Sequence, residues 1–230
     1  LTSYKCLSIE NGLMKAENMK TGKVEEIDAP MTLVAIGRAA VIHEETYDKL
    51  GLKYTRKGVE VDDYQRTSVP GIWAVGDATG RSILAHVGIQ QGIVAAENIM
   101  KKEGEPLRKM DYAVIPAVIY TFPEIVGVGI VPQDLEGVQV VKVPFDINLR
   151  AGIEDYPEGF IKMWIKDNQI LAAQAIGHNV SEIMQEVANM IALKTNIEDV
   201  ADIIHAHPTF AEIIRSTLDY ALERAVDFYI

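Results

Sequence analysis

Two histidines, a proline and a carboxylate crowd one short stretch of the 230-residue sequence, His205-Ala206-His207-Pro208-Thr209-Phe210-Ala211-Glu212. Proline costs no helical amide at the first position of a helix, so Pro208 predicts a helix start. Glu212 then falls in the first or second turn, from where its carboxylate can fold back onto the imidazole of His207. A carboxylate on one ring nitrogen fixes the tautomer, raises basicity and leaves the other nitrogen to take a proton. His207 with Glu212 is therefore a candidate general base. It is an activating pair without a nucleophile: Ser216 lies a turn further along, and the single cysteine, Cys6, is remote in sequence. The group to be deprotonated has to come from elsewhere. The competing reading is a histidine ahead of a helix whose ring is merely satisfied by a glutamate, and these residues alone do not separate the two.

A second candidate is Asp77, in Trp73-Ala74-Val75-Gly76-Asp77-Ala78-Thr79-Gly80. The spacing predicts a short apolar strand over Ile72–Val75, ended by Gly76-Asp77. Ligands of open α/β sheets bind beyond the carboxyl ends of strands. Glycine there allows close approach to the backbone, and an aspartate can accept hydrogen bonds from sugar or polyol hydroxyls. A helix beginning near Leu84 would aim its N-terminal amides at the same place, favouring negative charge. The bland alternative is a Gly-Asp turn followed by an ordinary helix.

The elements that must position these residues differ along the chain. Leu1 to Asp28 reads as short strands with turns at Asn11-Gly12 and Thr21-Gly22. The apolar run Met31–Ile36 predicts a buried strand. Ala39–Gln65 is more polar. Ser82–Met100 has helical spacing, with Ile83, Val87, Gln90, Gln91, Val94, Ala95 and Ala96 on one buried face. Lys101–Met110, charged and carrying Gly104 and Pro106, is the linker candidate. Five strand candidates follow: Val114–Tyr120, Ile125–Val131, Val138–Val143, Phe160–Ile165 and Ile170–Ile176. Two helices come last. Ser181 opens one carrying Ile183, Val187, Met190 and Ile191; the other runs from about Phe210 to Phe228, with Ile213, Ile214, Leu218, Ala221, Leu222 and Ala225 on one face. Strands followed by helices predict an α+β module distinct from what precedes it.

Composition narrows the function classes. Hydrophobic residues make up 48 % and charged residues 24 %, as in a globular protein. The net charge of −11 opposes binding to phosphate backbones and anionic membranes. No apolar run approaches the roughly 20 residues of a membrane helix. One cysteine allows no internal disulfide, which fits a reducing, cytoplasmic setting. Without a CxxC or a Cys/His cluster no metal site is expected. The chain starts with Leu1, inside strand-like sequence and without a charged-then-apolar leader; it reads as a piece of a longer polypeptide with no signal peptide.

Longer strings carry a family resemblance. Thr67-x5-Trp73-Ala74-Val75-Gly76-Asp77 with Leu84-Ala85-His86 resembles the second flavin-binding segment of the two-dinucleotide-binding-domain flavoproteins, the pyridine nucleotide-disulfide oxidoreductases. Val34-Ala35-Ile36-Gly37-Arg38 resembles the strand by which their nicotinamide-binding domain returns the chain to the flavin domain. His205-Ala206-His207-Pro208-Thr209-x2-Glu212 looks like the dihydrolipoamide dehydrogenases within that family. Ile115–Glu124 with Val126–Gly129, Asn148–Ala151, Glu158–Lys162 and Ile176–Asn179 with Glu182 match its interface domain. Departures are Ala172-Ala173, Phe122 and Gln90-Gln91.

The resemblance implies a fold and an activity. Residues 1–38 would end an NAD-binding domain as a strand-rich stub, 39–110 would be the second segment of an α/β FAD-binding domain, and 111–230 an α+β interface domain, mainly antiparallel sheet with helices, that makes a homodimer. Asp77 would hold the ribityl chain of FAD beside Gly76, with Leu84, Ala85 and His86 near the flavin ring and Pro208 also on the cofactor side. His86 has no catalytic role in this reading. His207, the histidine directly before the proline, would be the base across the dimer, oriented by Glu212, and His205 a bystander. The implied reaction oxidises the dihydrolipoyl group of an acyltransferase with NAD+ through FAD and a cysteine pair. Neither a GxGxxG loop nor a cysteine pair occurs in the sequence, so the chain alone is expected neither to hold FAD tightly nor to turn over. The alternatives are a glutathione-reductase-like or mercuric-reductase-like relative, the latter weakened because the chain ends without a cysteine pair, or, for the isolated chain, a non-catalytic dimerisation module.

Overall fold

A computed structural model describes residues 1–225, which fall into two compact units, Leu1–Ala39 and the residues from Ala40 onward. The first unit is a meander of β1 (Tyr4–Glu10), β2 (Leu13–Asn18) and β3 (Val24–Asp28), antiparallel in that order. Its turns fall at the expected Asn11-Gly12 and Thr21-Gly22, and the Asn18 side chain accepts the amides of Lys20 and Thr21 at the second. Met31–Ile36 forms no strand. Met31, Leu33, Val34 and Ile36 are exposed, Ile36 by 94 %. An apolar run becomes a buried strand only with neighbours for its ladder and cover for its faces, and β1–β3 supply neither.

The second unit opens with α1 (Glu44–Leu50) and a small hairpin, β4 (Tyr54–Thr55) with β5 (Gly58–Val59). Helix α1 escaped the sequence reading, although acidic Glu44 and Glu45 open it, Lys49 lies in its last turn and Gly51 closes it in the left-handed conformation. The strand expected over Ile72–Val75 is reduced to one bridge, Trp73 with Arg66; with no further partner the run stays half-buried and irregular. A 3-10 turn, Gly76–Thr79, then leads to α2 (Ala85–Ile99). Its buried face is Val87, Gln91, Val94, Ala95 and Asn98, while Ala96 is exposed. Lys101–Met110 holds no regular element but is laced down. Asn98 accepts the Arg108 amide and donates to its carbonyl, and the Met110 amide donates to Asp63.

The main sheet contains β6 (Ala117–Ile119), β7 (Glu124–Gly129), β8 (Gln139–Pro144), β9 (Phe160–Lys166) and β10 (Gln169–Gly177), antiparallel throughout in the order β6-β7-β10-β9-β8. All five coincide with expected strands. Between β8 and β9 come a 3-10 turn, Phe145–Ile147, and the short α3 (Leu149–Ile153); after β10 come α4 (Val180–Leu193), α5 (Ile197–Ala201) and α6 (Glu212–Ala221). Helix α4 packs on β7 and β10, α6 on β8 and β9. Ile213, Ile214 and Leu218 of α6 are completely buried, each contributing roughly 1.5–3 kcal/mol to the core. Helix α6 is shorter than its periodicity suggests. It starts at Glu212 rather than near Pro208, and it stops at Ala221, where Glu223 turns left-handed, so Ala225 is not on it. The expected end at Phe228 lies outside the described residues.

Candidate active site

The turn before α6 is built by a threonine and a glutamate three residues apart. In Thr209-Phe210-Ala211-Glu212 the carboxylate reaches back, and its Oε2 accepts the Thr209 amide at 2.7 Å, one half of a capping box. The amides of Ile213 and Ile214 donate to the carbonyls of Phe210 and Ala211, tight i→i+3 bonds ahead of the regular helix. This competition explains why Pro208 does not open α6. The other oxygen of Glu212, Oε1, lies 2.8 Å from His207 Nδ1. The sequence-predicted pair is therefore brought together, with one carboxylate serving both the helix and the ring.

Asn148 steadies the same turn from across the chain. It is 5 % exposed. Its Oδ1 caps α3 by accepting the Ala151 amide at 3.0 Å, and its Nδ2 donates to the Thr209 carbonyl at 3.1 Å. Sequence reasoning gave Asn148 no role; the signal was an N-cap residue directly before Leu149-Arg150-Ala151. An open cleft of about 330 Å³ lies here, lined by Ile147, Asn148, Leu149, His207, Glu212 and Ser216.

The His207 side chain is 63 % exposed and that of Glu212 25 %. Among the described residues nothing hydrogen-bonds His207 Nε2. With Nδ1–H donated to the carboxylate, Nε2 keeps a lone pair directed outward and can accept a proton. His205 differs. Its side chain is only 9 % exposed, Nε2 lies 3.2 Å from Glu186 Oε1 and Nδ1 lies 3.1 Å from the Ile203 carbonyl. Both nitrogens face acceptors, so neither is available to a substrate.

The residues expected on the flavin side form a separate group. Asp77 is exposed in the 3-10 turn, and the Gly76 amide donates to Gln91 Oε1 at 2.6 Å. Gly76 (φ 67°) packs against Gly88 of α2, where an added Cβ would lie 3.2 Å from the Gly76 Cα, so turn and helix meet backbone to backbone. Leu84 precedes α2, and Ala85 and His86 open it, with no side-chain cap and no acidic residue in the first turn. The His86 ring bonds the Pro116 carbonyl at 2.9 Å. Neither these residues nor Pro208 line the cleft beside His207. Among the described residues no group of three or more His, Cys, Asp or Glu could hold a metal ion, and no helix is long and apolar enough to cross a membrane.

Comparison with known proteins gives the family. The family profile described as pyridine nucleotide-disulphide oxidoreductase, dimerisation domain, matches residues 115–218, and the profile described as pyridine nucleotide-disulphide oxidoreductase matches residues 3–92. The chain belongs to the pyridine nucleotide-disulfide oxidoreductase family. Its relatives in that family include a dihydrolipoyl dehydrogenase of Geobacillus stearothermophilus, 39 % identical over 208 residues (87 % of this chain, 43 % of that protein), and one of Haloferax volcanii, 35 % identical over 225 residues (94 % and 46 %). The chain thus spans about half the length of the curated relatives it matches. Solved structures share the fold: LpdA of Mycobacterium tuberculosis (TM-score 0.81, 21 % identity, 95 % of this chain and 48 % of that one) and the HOCl-induced flavoprotein disulfide reductase RclA of Escherichia coli (TM-score 0.82, 19 %, 94 % and 49 %). The mixed helix-and-sheet class read from the sequence is the fold of this oxidoreductase family.

Proposed function

We propose that this chain is the C-terminal half of a dihydrolipoamide dehydrogenase, and that it provides the general base and the dimer-forming domain. One observation carries the reading: His207 Nδ1 is 2.8 Å from Glu212 while its Nε2 opens on a cleft that offers it no cysteine. A base so held suits thiols brought by another molecule. Glu212 fixes the tautomer, and Nε2 accepts a proton from the dihydrolipoyl group of an acyltransferase, raising the thiolate that attacks a disulfide. The imidazolium formed is stabilised by the same carboxylate. In this reading residues 1–38 end the NAD-binding domain, 39–110 belong to the FAD-binding domain, and 111–230 form the homodimer, so that His207 serves the partner subunit. The working location would be the cytoplasm.

The residues on the flavin side fit FAD. The glycine-to-glycine contact of Gly76 and Gly88 brings the turn and α2 together backbone to backbone, and the first turn of α2, with no side-chain cap, presents amides to negative charge. Asp77 would hold the ribityl hydroxyls, with Gly76, Leu84, Ala85, His86 and Pro208 around the cofactor. Bound FAD would supply the two-electron relay from a cysteine pair to NAD+. Changing His207 to Gln in a full-length enzyme tests the reading: lipoamide turnover is lost while FAD stays bound. Turnover within a factor of about two of wild type rejects it. By itself the 230-residue chain, which has neither GxGxxG nor a cysteine pair, would act only as a dimerisation module. Sedimentation should give a dimer, and a strict monomer at high concentration counts against this.

A further inference from the structure

Behind the Gly76-Asp77 turn runs a buried polar chain that the proposed chemistry does not use. Gln91 and Gln65 are both completely buried. Gln91 accepts the Gly76 amide through Oε1 (2.6 Å), and its Nε2 donates to the Tyr112 hydroxyl (2.9 Å). The Gln65 Nε2 donates to the same hydroxyl from the other side (3.1 Å). Gln65 reaches it from a left-handed backbone, φ 71°, which costs a non-glycine residue free energy. Its Oε1 is buried without a partner, and the Arg81 guanidinium covers the tyrosine ring at 4.0 Å. Orphaned buried atoms and strained backbone persist only where surrounding structure over-determines them.

Buried amides make this arrangement directional. With Oε1 of Gln91 committed to the Gly76 amide, only its NH2 can face Tyr112, so the Gly76 peptide plane is fixed by a residue on α2 and by one just ahead of β6. We infer that Gln91, locked by Tyr112 and Gln65, is the positioning residue for the Gly76-Asp77 turn. It sets the backbone that offers Asp77 to the flavin, and Tyr112 couples that turn to the start of the following sheet domain. The inference rests on the reading of Asp77 as a flavin contact. It adds that cofactor retention depends on an amide that touches no cofactor.

The test has two arms. In the 230-residue chain with 15N-labelled glycine, Gln91→Leu should raise hydrogen exchange at the Gly76 amide by roughly ten-fold, and Tyr112→Phe, which deletes one oxygen, by a smaller factor. Gln91→Glu keeps the acceptor for the Gly76 amide but loses the donor to Tyr112, so its protection should fall between wild type and Gln91→Leu. In full-length enzyme, Gln91→Leu should lower FAD retention after gel filtration several-fold and shift the bound-flavin absorption bands, whereas Gln91→Glu should retain more cofactor than Gln91→Leu. Unchanged Gly76 exchange in both Gln91→Leu and Tyr112→Phe overturns the network. Raised exchange with full FAD retention overturns the coupling to the cofactor. Asp77→Ala is the control for the underlying reading: if it also keeps all its FAD, the flavin assignment itself has failed.

Discussion

Replacing Asn148 by Ala gives the sharpest test of how the His207 turn is held. The substitution removes the cap on the Ala151 amide and the Nδ2 donor that the Thr209 carbonyl (3.1 Å) shares with the Phe210 carbonyl (3.4 Å). Losing an Asn cap costs about 1 kcal/mol. Leaving a carbonyl in a half-buried turn without its donor costs roughly 1–3 kcal/mol. The expected loss is therefore about 2–4 kcal/mol, since Asn148 is 95 % buried and water replaces neither partner easily. Urea unfolding followed by tryptophan fluorescence reads it, because Trp164 lies buried in β9 within the main sheet. At a slope of about 2–3 kcal/mol per molar, the midpoint should fall by roughly 1 M. Asn148→Ser retains a capping oxygen but cannot reach Thr209, so its loss should fall between wild type and Asn148→Ala. An Asn148→Ala protein within about 0.5 kcal/mol of wild type would refute the claim that this side chain bolts the His207 turn to α3.

Other outcomes follow from the same geometry. Glu212→Ala removes the acceptor of both the Thr209 amide and His207 Nδ1; a loss of about 1–2 kcal/mol is expected by urea unfolding, reduced by the partial exposure of the pair. His207→Gln should leave stability within about 0.5 kcal/mol of wild type, because the ring is mostly exposed, while thiol turnover of a full-length enzyme collapses. Gly88→Val drives a branched side chain into the Gly76 backbone; thermal denaturation should show a loss of roughly 1–3 kcal/mol, with weakened flavin retention. The Asp62 carboxyl is pushed up by burial, but the Arg66 amide and guanidinium and the Tyr64 amide outweigh that and hold it below the ordinary 3.8. Its folded value is depressed, so its contribution is present above 3.8 and is lost as pH falls through the lowered value. Asp62→Asn should flatten the acid limb of the stability curve, and an unchanged limb counts against this.

Periodicity made the strands of the main sheet and the buried face of α4 legible, since alternation and 3.6-residue spacing report directly which side chains a core needs. Met31–Ile36 and Ile72–Val75 misled for one reason: apolar character shows that a segment wants burial, and only tertiary partners decide whether it finds a ladder. The His207–Glu212 pairing was readable because ring and carboxylate stand five positions apart across a turn. The start of α6 was not, because the capping contribution of Thr209-x-x-Glu212 competes with the proline signal. The cap of Asn148 on α3 left a local signal, but its reach to Thr209 and the meeting of Gln65 with Tyr112 span tens of residues, so only the fold could reveal those contacts.

The bare Met31–Ile36 ribbon has a practical side. Six uncharged residues rich in aliphatic side chains, without proline and open to water, have the makeup of a sticky β-template. Mutual repulsion from the net charge of −11 opposes that clumping. Concentrated stocks of the chain should therefore keep best at low ionic strength, and salting them or lowering the pH toward 4.9 should bring on fibrous or amorphous precipitate that begins at this ribbon.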